Sequence, residues 1–183
     1  MTFWKKWFDK KEEQPFDPFT DLVLEKMQPG YLVDFDGKTW EVIGRHFHDL
    51  GDGYRVEEWE LHADNQEYYL TRGEDEGGYW TWTRRVPIGS IDGRIRGHIR
   101  QNGDPPDYID YDGTRFLLDS YGGAKYHRDC KDISQPYLYW DYKGEDGIRL
   151  LSIQQWGDID FEAFVGHYAE EYQFTNILPR KRS

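Results

Sequence analysis

The sequence has a single cysteine, no long apolar run and few aliphatic residues. Because Cys130 is the lone cysteine, an internal disulfide is excluded and the fold must be stable without one. No stretch approaches the roughly 20 apolar residues that span a bilayer, and the N-terminus lacks the apolar segment of a secretion signal. We therefore expect a cytoplasmic location.

The chain also lacks a net positive charge over most of its length. Its formal net charge is −12, although residues 1–11 and 180–182 are each basic. The segment between them carries about −18. Because nucleic-acid binding requires a surface that neutralises phosphates, we expect no nucleic-acid partner.

Sequence motifs for catalysis and for metal binding are missing as well. Neither His46-Phe47-His48 nor His127-x-x-Cys130 has the ligand count or spacing of a recognised zinc site. No serine lies in a nucleophile elbow, no glycine-rich loop suits a phosphate, and carboxylates are too abundant for any pair to indicate an active site. We predict no catalytic residue, no metal and no cofactor, and the sequence does not support an enzyme.

What the chain does contain is a repeated pattern of aromatic residues. The segment 33–40 (VDFDGKTW) returns 76 residues later as 109–116 (IDYDGTRF). An Asp-Gly pair favours a type I′ turn, and alternating aromatic residues beside it favour two half-buried strands. The sequence therefore indicates two related β units. Further matches, at a spacing of 81, join 58–61 (EWEL) to 139–142 (YWDY) and 69–71 (YLT) to 150–152 (LLS).

These patterns predict an all-β, mainly antiparallel fold in which two duplicated units form a sandwich or a barrel-like sheet, preceded by a short N-terminal helix. Asp17-Pro18 supplies the start of that helix and Pro29-Gly30 ends it. We expect a single β-rich domain at 16–176. Its parts are the units 31–85 and 107–172 and a basic connecting segment 86–106, and it is flanked by a basic aromatic segment 1–15 and a basic tail 177–183.

The alternation of polar and apolar residues predicts where the strands lie. Those of the first unit are expected at 31–35, 39–44, 54–62, 67–72 and 79–84. Those of the second unit are expected at 108–111, 115–119, 124–129, 137–142, 148–154 and 160–165.

The first residues of the chain combine aromatic rings with lysines. At helical spacing the rings fall on one side and the lysines on the other, a composition typical of helices that lie in a membrane interface. The alternative is that the rings cover an exposed edge of the protein's own core. The candidate contact residues for a membrane or a partner are Phe3, Trp4, Lys5, Lys6, Trp7 and Phe8.

The connecting segment has the most unusual charge pattern of the acidic body. Basic residues alternate there with isoleucine and glycine, so an extended backbone would direct the basic side chains to one face. Such a face suits phosphate, an acidic partner or an anionic membrane. Alternatively it is an edge strand whose charges prevent aggregation. The candidate binding residues are Arg94, Arg96, His98 and Arg100, with Arg84 and Arg85 nearby.

Several segments resemble the bacterial domain-of-unknown-function family 4178. The run 28–44 (QPGYLVDFDGKTWEVIG) is similar to the family's opening pattern Gly-x-x-Val-x-x-x-Gly-x-x-Trp-x-Val-x-Gly. The segments 139–142, 151–158 (LSIQQWGD) and 164–166 (FVG) are close to its second-half signature, and the resemblance covers about 28–172. It implies a β-rich cytosolic protein with no established activity, often encoded near phage-shock-type membrane-stress proteins, polyamine synthases and small membrane proteins. No catalytic residues come with it.

Together these observations favour a non-enzymatic binding or adaptor module in a bacterial envelope-stress or membrane-stress response. We expect a protein partner, with contact to an anionic membrane surface as a further possibility at the inner membrane face. The alternative hypothesis is a protein that binds a small molecule or a cation such as a polyamine in an aromatic, carboxylate-lined cleft, because aromatic faces with acidic rims suit organic cations.

Overall fold

The computed structural model describes residues 22–74 and 78–180, which form a strand-rich fold. The strands are β1 (Leu32–Phe35), β2 (Lys38–Gly51), β3 (Tyr54–Ala63), β4 (Gln66–Gly73), β5 (Tyr79–Val86), β6 (Tyr108–Tyr111), β7 (Thr114–His127), β8 (Gln135–Gly144), β9 (Arg149–Gln155), β10 (Phe161–Ala169) and β11 (Thr175–Leu178). Two helices, α1 (Ile88–Ile91) and α2 (Ile95–Asn102), and 3-10 turns at Leu24–Lys26, Arg128–Cys130 and Glu171–Gln173 complete the described elements.

The strands form one sheet whose order is β11-β1-β2-β3-β4-β5-β10-β9-β8-β7-β6, and every described pairing is antiparallel. Apart from β11, this order consists of two runs of five strands that meet at the β5–β10 pair. A further pairing joins β2 to β7, so eight strands close into a ring. The prediction of an all-β, antiparallel and duplicated fold is confirmed, and the β2–β7 pairing makes the sheet barrel-like.

The repeated Asp-Gly pairs form the turns that the sequence predicts. Asp36 and Gly37 connect β1 to β2 with φ values of 49° and 72°. Asp112 and Gly113 connect β6 to β7 with nearly the same values, 47° and 73°. Two successive positive φ angles define a type I′ turn, which suits Gly and is tolerated by Asp.

The change of repeat spacing from 76 to 81 has a structural origin. β2 and β3 are joined by the short turn 52–53, whereas β7 and β8 are joined by the longer segment 128–134, which includes the 3-10 turn Arg128–Cys130. The additional residues therefore enter between the second and third strands of the second unit.

Several predicted element boundaries are wrong. The strand expected at 39–44 continues to Gly51 as β2, and the strand expected at 160–165 continues to Ala169 as β10. The strands expected at 115–119 and 124–129 are a single strand, β7, which ends at His127. The Gly122-Gly123 pair does not interrupt it, because both glycines stay in register with β8. Of the predicted N-terminal helix, the described part contains a 3-10 turn at Leu24–Lys26 rather than an α-helix. Residues 16–21 lie outside the described ranges.

The expectation of an extended connecting segment is also wrong, because 95–102 is helical. Ile95 and Ile99 lie four residues apart, and both are buried, with exposed fractions of 1% and 4%. Gly103 ends the helix in the left-handed conformation, and its N–H donates to the carbonyl of Ile99. Burial of Ile95 and Ile99 on one side of a helix therefore decides the conformation, although the alternation of basic residues in steps of two suggests an extended strand.

Two apolar clusters, one in each unit, form the core. Trp59 and Leu61 belong to the first cluster, and the equivalent residues of the second unit, Trp140 and Tyr142, belong to the second. Leu24, Met27 and Phe174 pack on the first cluster. The isoleucines of α1 and α2 pack on the second.

The two equivalent tryptophans hold the segments that cover these clusters. The indole N–H of Trp59 donates to the carbonyl oxygen of Met27 at 3.0 Å. The indole N–H of Trp140 donates to Oδ1 of Asp104, also at 3.0 Å. Each polar atom of a buried indole thus finds a partner in the chain that covers it. Within 22–74 and 78–180, no helix has the length and apolar character needed to cross a membrane.

Gly166 of β10 lies too close to the backbone of β5 for a side chain to fit. A Cβ atom at this position would lie 2.0 Å from the carbonyl oxygen of Trp82 and 2.6 Å from Cα of Thr83. Both are backbone atoms of β5, so Gly166→Ala should separate the two units and lower the free energy of unfolding by about 3 kcal/mol.

The control is Gly97→Ala in α2, where nothing lies within 4 Å of a new Cβ. It should raise stability by about 0.5–1 kcal/mol. Urea unfolding of both variants checks this, and equal effects would contradict the β5–β10 packing.

Candidate functional site

The interior of the eight-stranded ring contains the candidate site. It is a cavity of about 530 Å³ lined by residues from β2, β3, β4, β5, β7, β8, β9 and β10. This volume lies within the range of small-molecule sites. Because successive strand residues point to opposite faces, Glu58 faces the ring interior while its neighbour Trp59 faces the apolar cluster.

The cavity is acidic and aromatic. Its lining includes the carboxylates of Asp52, Glu58, Asp119 and Asp141. Among the described residues, no lysine or arginine lines it, and His48 is its basic side chain. The aromatic side chains that face the cavity are Tyr54, Tyr79, Tyr137, Tyr139, Phe164 and Tyr168.

A buried hydrogen-bonded chain crosses the cavity wall. His48 Nδ1 lies 2.7 Å from the hydroxyl of Tyr137, and His48 Nε2 lies 3.1 Å from Oε2 of Glu58. All three side chains are at least nine-tenths buried. Burial raises the pKa of the Tyr137 hydroxyl, so this group keeps its proton. In a neutral imidazole, Nε2–H then donates to Glu58 and Nδ1 accepts the Tyr137 hydroxyl proton.

Two carboxylates of the cavity have pKa values displaced in opposite directions. Burial acts to raise the pKa of Glu58, but His48 beside it and the more distant His46 and Arg85 hold this pKa below its ordinary value. Burial raises the pKa of Asp141, and hydrogen bonding to serines offsets this only in part. Glu58 is therefore a fixed negative charge, whereas Asp141 takes up a proton more readily than an ordinary aspartate.

Asp141 owes its surroundings to the register of three strands. Asp141 is on β8, where it lies opposite Ser120 of β7 on one side and opposite Ser152 of β9 on the other. Both serines act to lower the pKa of its carboxyl group. Since paired residues of neighbouring strands share a face, all three groups point into the ring.

A second cavity, of about 330 Å³, lies on the other side of the same layer of side chains. His48, Glu58, Gln154 and Phe164 line both cavities. The second cavity differs in charge, because arginines contribute to its lining along with acids. Its charged side chains are Glu58, Glu60, Arg85, Arg128, Asp160 and Glu162.

The predicted basic residues do not form one surface. Arg84 and Arg85 are neighbours on β5 and point to opposite faces. Arg85 lines the second cavity and pairs with Glu162 at 3.1 Å, and Arg94 pairs with Asp92 at 2.8 Å.

In α2, the 100° rotation between residues separates His98 from Arg96 and Arg100. A contact of any of these six basic residues with an anionic partner stays a prediction. The predicted contact residues Phe3, Trp4, Lys5, Lys6, Trp7 and Phe8 lie outside the described residues.

The sequence reasoning missed the residues of the ring interior. Glu58 precedes the buried Trp59, and Asp141 follows the equivalent buried Trp140. A charged residue beside a buried one is also the pattern of an ordinary strand with one face towards solvent, so the sequence does not distinguish the two cases. The one available signal was the pair His46 and His48, which share a strand face that the structure buries.

Three comparisons with known proteins bear on the chain. Residues 28–171 match the model of a family described as a domain of unknown function, DUF4178. A protein of Aquifex aeolicus (strain VF5), described as an uncharacterized protein, is 30% identical over 176 residues, which covers 96% of each chain. No solved structure matches. Since the family model covers most of the chain, and the relative most of both chains, this protein belongs to the DUF4178 family.

Proposed function

We propose that the protein binds a small organic cation, such as a polyamine, in the interior of the eight-stranded ring. The observation that carries the proposal is a cavity lined by four carboxylates and several aromatic rings, with no lysine or arginine among its described lining residues. Carboxylates supply charge and hydrogen-bond acceptors for ammonium groups, and aromatic faces attract the same groups and pack against the methylenes between them.

A contact within the protein supports this chemistry. The ammonium group of Lys143 lies 5.5 Å from the ring centre of Tyr168, which lines the cavity. One ring of the lining therefore already faces a cation of the chain itself. Lys143 also offsets part of the negative charge near the cavity, so a bound cation competes with it.

The adaptor hypothesis depends on other parts of the chain. It requires the N-terminal rings and lysines, which lie outside the described residues, and the basic residues near α2, which are spread over several faces. It stays a prediction. Co-sedimentation with anionic vesicles, comparing the full chain with a version lacking residues 1–11, tests it separately.

The first test of the cation proposal is calorimetric titration with spermidine. The intact protein should bind it, and Glu58→Gln and Asp141→Asn should each weaken binding at least about tenfold, because each removes a charge or a charge-assisted hydrogen bond from the cavity. Lys143→Gln should strengthen binding, since it removes a competing cation.

The matched control is Asp132→Asn, which removes the same charge from an exposed residue of the β7–β8 segment that lines neither cavity. It should leave the affinity unchanged within about twofold. Absence of heat with the intact protein, or an equal loss in Asp132→Asn, would contradict the proposed site.

The affinity should also depend on pH through Asp141. Because burial raises the pKa of Asp141 and a bound cation favours its ionised form, binding should expel a proton and strengthen as the pH rises through this pKa. Titrations from pH 5 to 8 in two buffers of different ionisation enthalpy measure the released proton. In Asp141→Asn the same proton release should disappear, and its persistence would assign the effect to another group.

The raised pKa of Asp141 also makes the stability of the fold depend on pH. Because the folded protein holds a proton on Asp141 more tightly than the unfolded chain does, this group stabilises the fold below its unfolded pKa and loses that contribution as the pH rises through the folded pKa. Asp141→Asn should therefore be more stable relative to the intact protein at pH 8 than at pH 4. Urea unfolding at both pH values checks this. No difference between the two pH values would show that the carboxylate is well solvated, and the opposite trend would show that folding lowers its pKa.

A further inference from the structure

The hairpin of β3 and β4 brings a histidine between two glutamates. His62 on β3 lies directly opposite Glu67 on β4, across the turn at Asp64. Glu60 precedes His62 by two residues and therefore points to the same face of the sheet. One ligand atom from each of these three side chains lies within 4.8 Å of the others.

His62 Nε2 is placed as a metal ligand would be. It lies 3.0 Å from Oε1 of Glu60 and 3.2 Å from Oε2 of Glu67. Nevertheless, this buried nitrogen has no hydrogen-bond partner. Both oxygens are close enough for a hydrogen bond, but neither lies in the direction that one requires. Donor atoms about 2.1 Å from one ion stand about 3.0–3.4 Å apart, which matches these distances.

The outer oxygen of each glutamate faces a donor. The hydroxyl of Tyr69 donates to Oε1 of Glu67 and itself accepts a hydrogen bond from Arg85 at 3.2 Å. Oε2 of Glu60 lies 3.6 Å from Nε2 of His46. Each carboxylate therefore presents one oxygen to His62 while a neighbouring group restrains the other, as metal-binding carboxylates commonly do.

His46 is an independent indication that something is bound here. Its side chain is 2% exposed, and its Nε2 has no hydrogen-bond partner. The backbone N–H of Asp129 donates to its Nδ1 at 3.0 Å, so Nε2 of the neutral ring carries the proton and points towards Glu60. His46 therefore presents an unpaired donor to Glu60 and is not itself a ligand. A buried donor without a partner is costly, and a small rotation of Glu60 on binding an ion would satisfy it.

Gly44 makes room for this imidazole. A Cβ atom at position 44 would lie 2.4 Å from Nε2 of His46 and 3.4 Å from Oε2 of Glu60. The bulge between Val42 and Gly44 places the glycine opposite Glu60, so the strand irregularity and the absent side chain both serve the position of His46.

We propose that Glu60, His62 and Glu67 bind a divalent transition-metal ion of the Zn²⁺ class. One imidazole and two carboxylates suit such an ion, and three protein ligands leave a coordination position for solvent. Metal binding requires the two carboxylates to close around the ion, which their rotatable side chains allow. The second unit cannot repeat the site, because the residues at the corresponding positions of its β8–β9 hairpin are Asp141, Lys143 and Leu150.

Calorimetric titration of the full chain with Zn²⁺, after treatment with a chelator and desalting, tests the proposal. The intact protein should bind one ion. His62→Gln and Glu67→Gln should weaken binding at least about 100-fold, and Tyr69→Phe, which removes a restraint but no ligand, about tenfold. Co²⁺ in place of Zn²⁺ should give visible absorption bands in the intact protein that His62→Gln abolishes.

The controls separate this site from other ligands and from misfolding. His127→Gln and Cys130→Ser remove other metal-binding side chains and should leave Zn²⁺ affinity unchanged. Thermal unfolding without metal should give similar transitions for the intact protein and His62→Gln, since His62 is partly exposed. Absence of Zn²⁺ binding up to about 1 mM, which corresponds to a very weak site, or undiminished binding in His62→Gln, would overturn the proposal and leave the cluster as an ion pair.

Discussion

The pairing of β2 with β7 is the contact on which the candidate site depends. It comprises the residue pairs Phe47–His127, His48–Tyr126 and Asp49–Lys125, and the rings of the first pair stack with centroids 4.1 Å apart. Without it, the two units would share only the β5–β10 seam, and the face that carries Glu58 and Asp141 would be an open, solvated surface. Closure encloses that face, and the resulting burial raises the pKa of Asp141, whereas His48 beside Glu58 holds the pKa of Glu58 below its ordinary value.

A polar ring interior is possible because the apolar cores lie elsewhere. Each unit buries its tryptophan and aliphatic residues on the opposite face, beneath a covering segment that an indole N–H of Trp59 or Trp140 holds in place. Stability therefore rests on the outer faces, and the interior is free to hold charged groups that an ordinary barrel core would exclude. This division explains how an acidic, aromatic cavity and a histidine–glutamate cluster exist in one small fold.

The duplicated fold could be predicted from the sequence because its signals are local. Asp36-Gly37 and Asp112-Gly113 specify the same turn, and the matching strands follow from alternation within a few residues. The ring interior could not be predicted, because Glu58 becomes buried only when β7 closes over β2, a contact between distant parts of the chain. The extended conformation predicted for Arg94 to Arg100 is wrong for a different reason. The basic residues there alternate in steps of two, whereas Ile95 and Ile99 have the spacing of a helix.

Ring closure can be measured directly by nuclear Overhauser effects between backbone protons of isotope-labelled protein. The structure requires cross-strand contacts for Phe47 with His127 and for Asp49 with Lys125, of the same strength as those between β2 and β3. Their presence would establish the enclosed interior on which the proposed cation site relies. If the β2–β3 contacts were observed and the β2–β7 contacts were absent, the sheet would be open, Glu58 and Asp141 would face solvent, and the account of a cation-binding ring would be wrong.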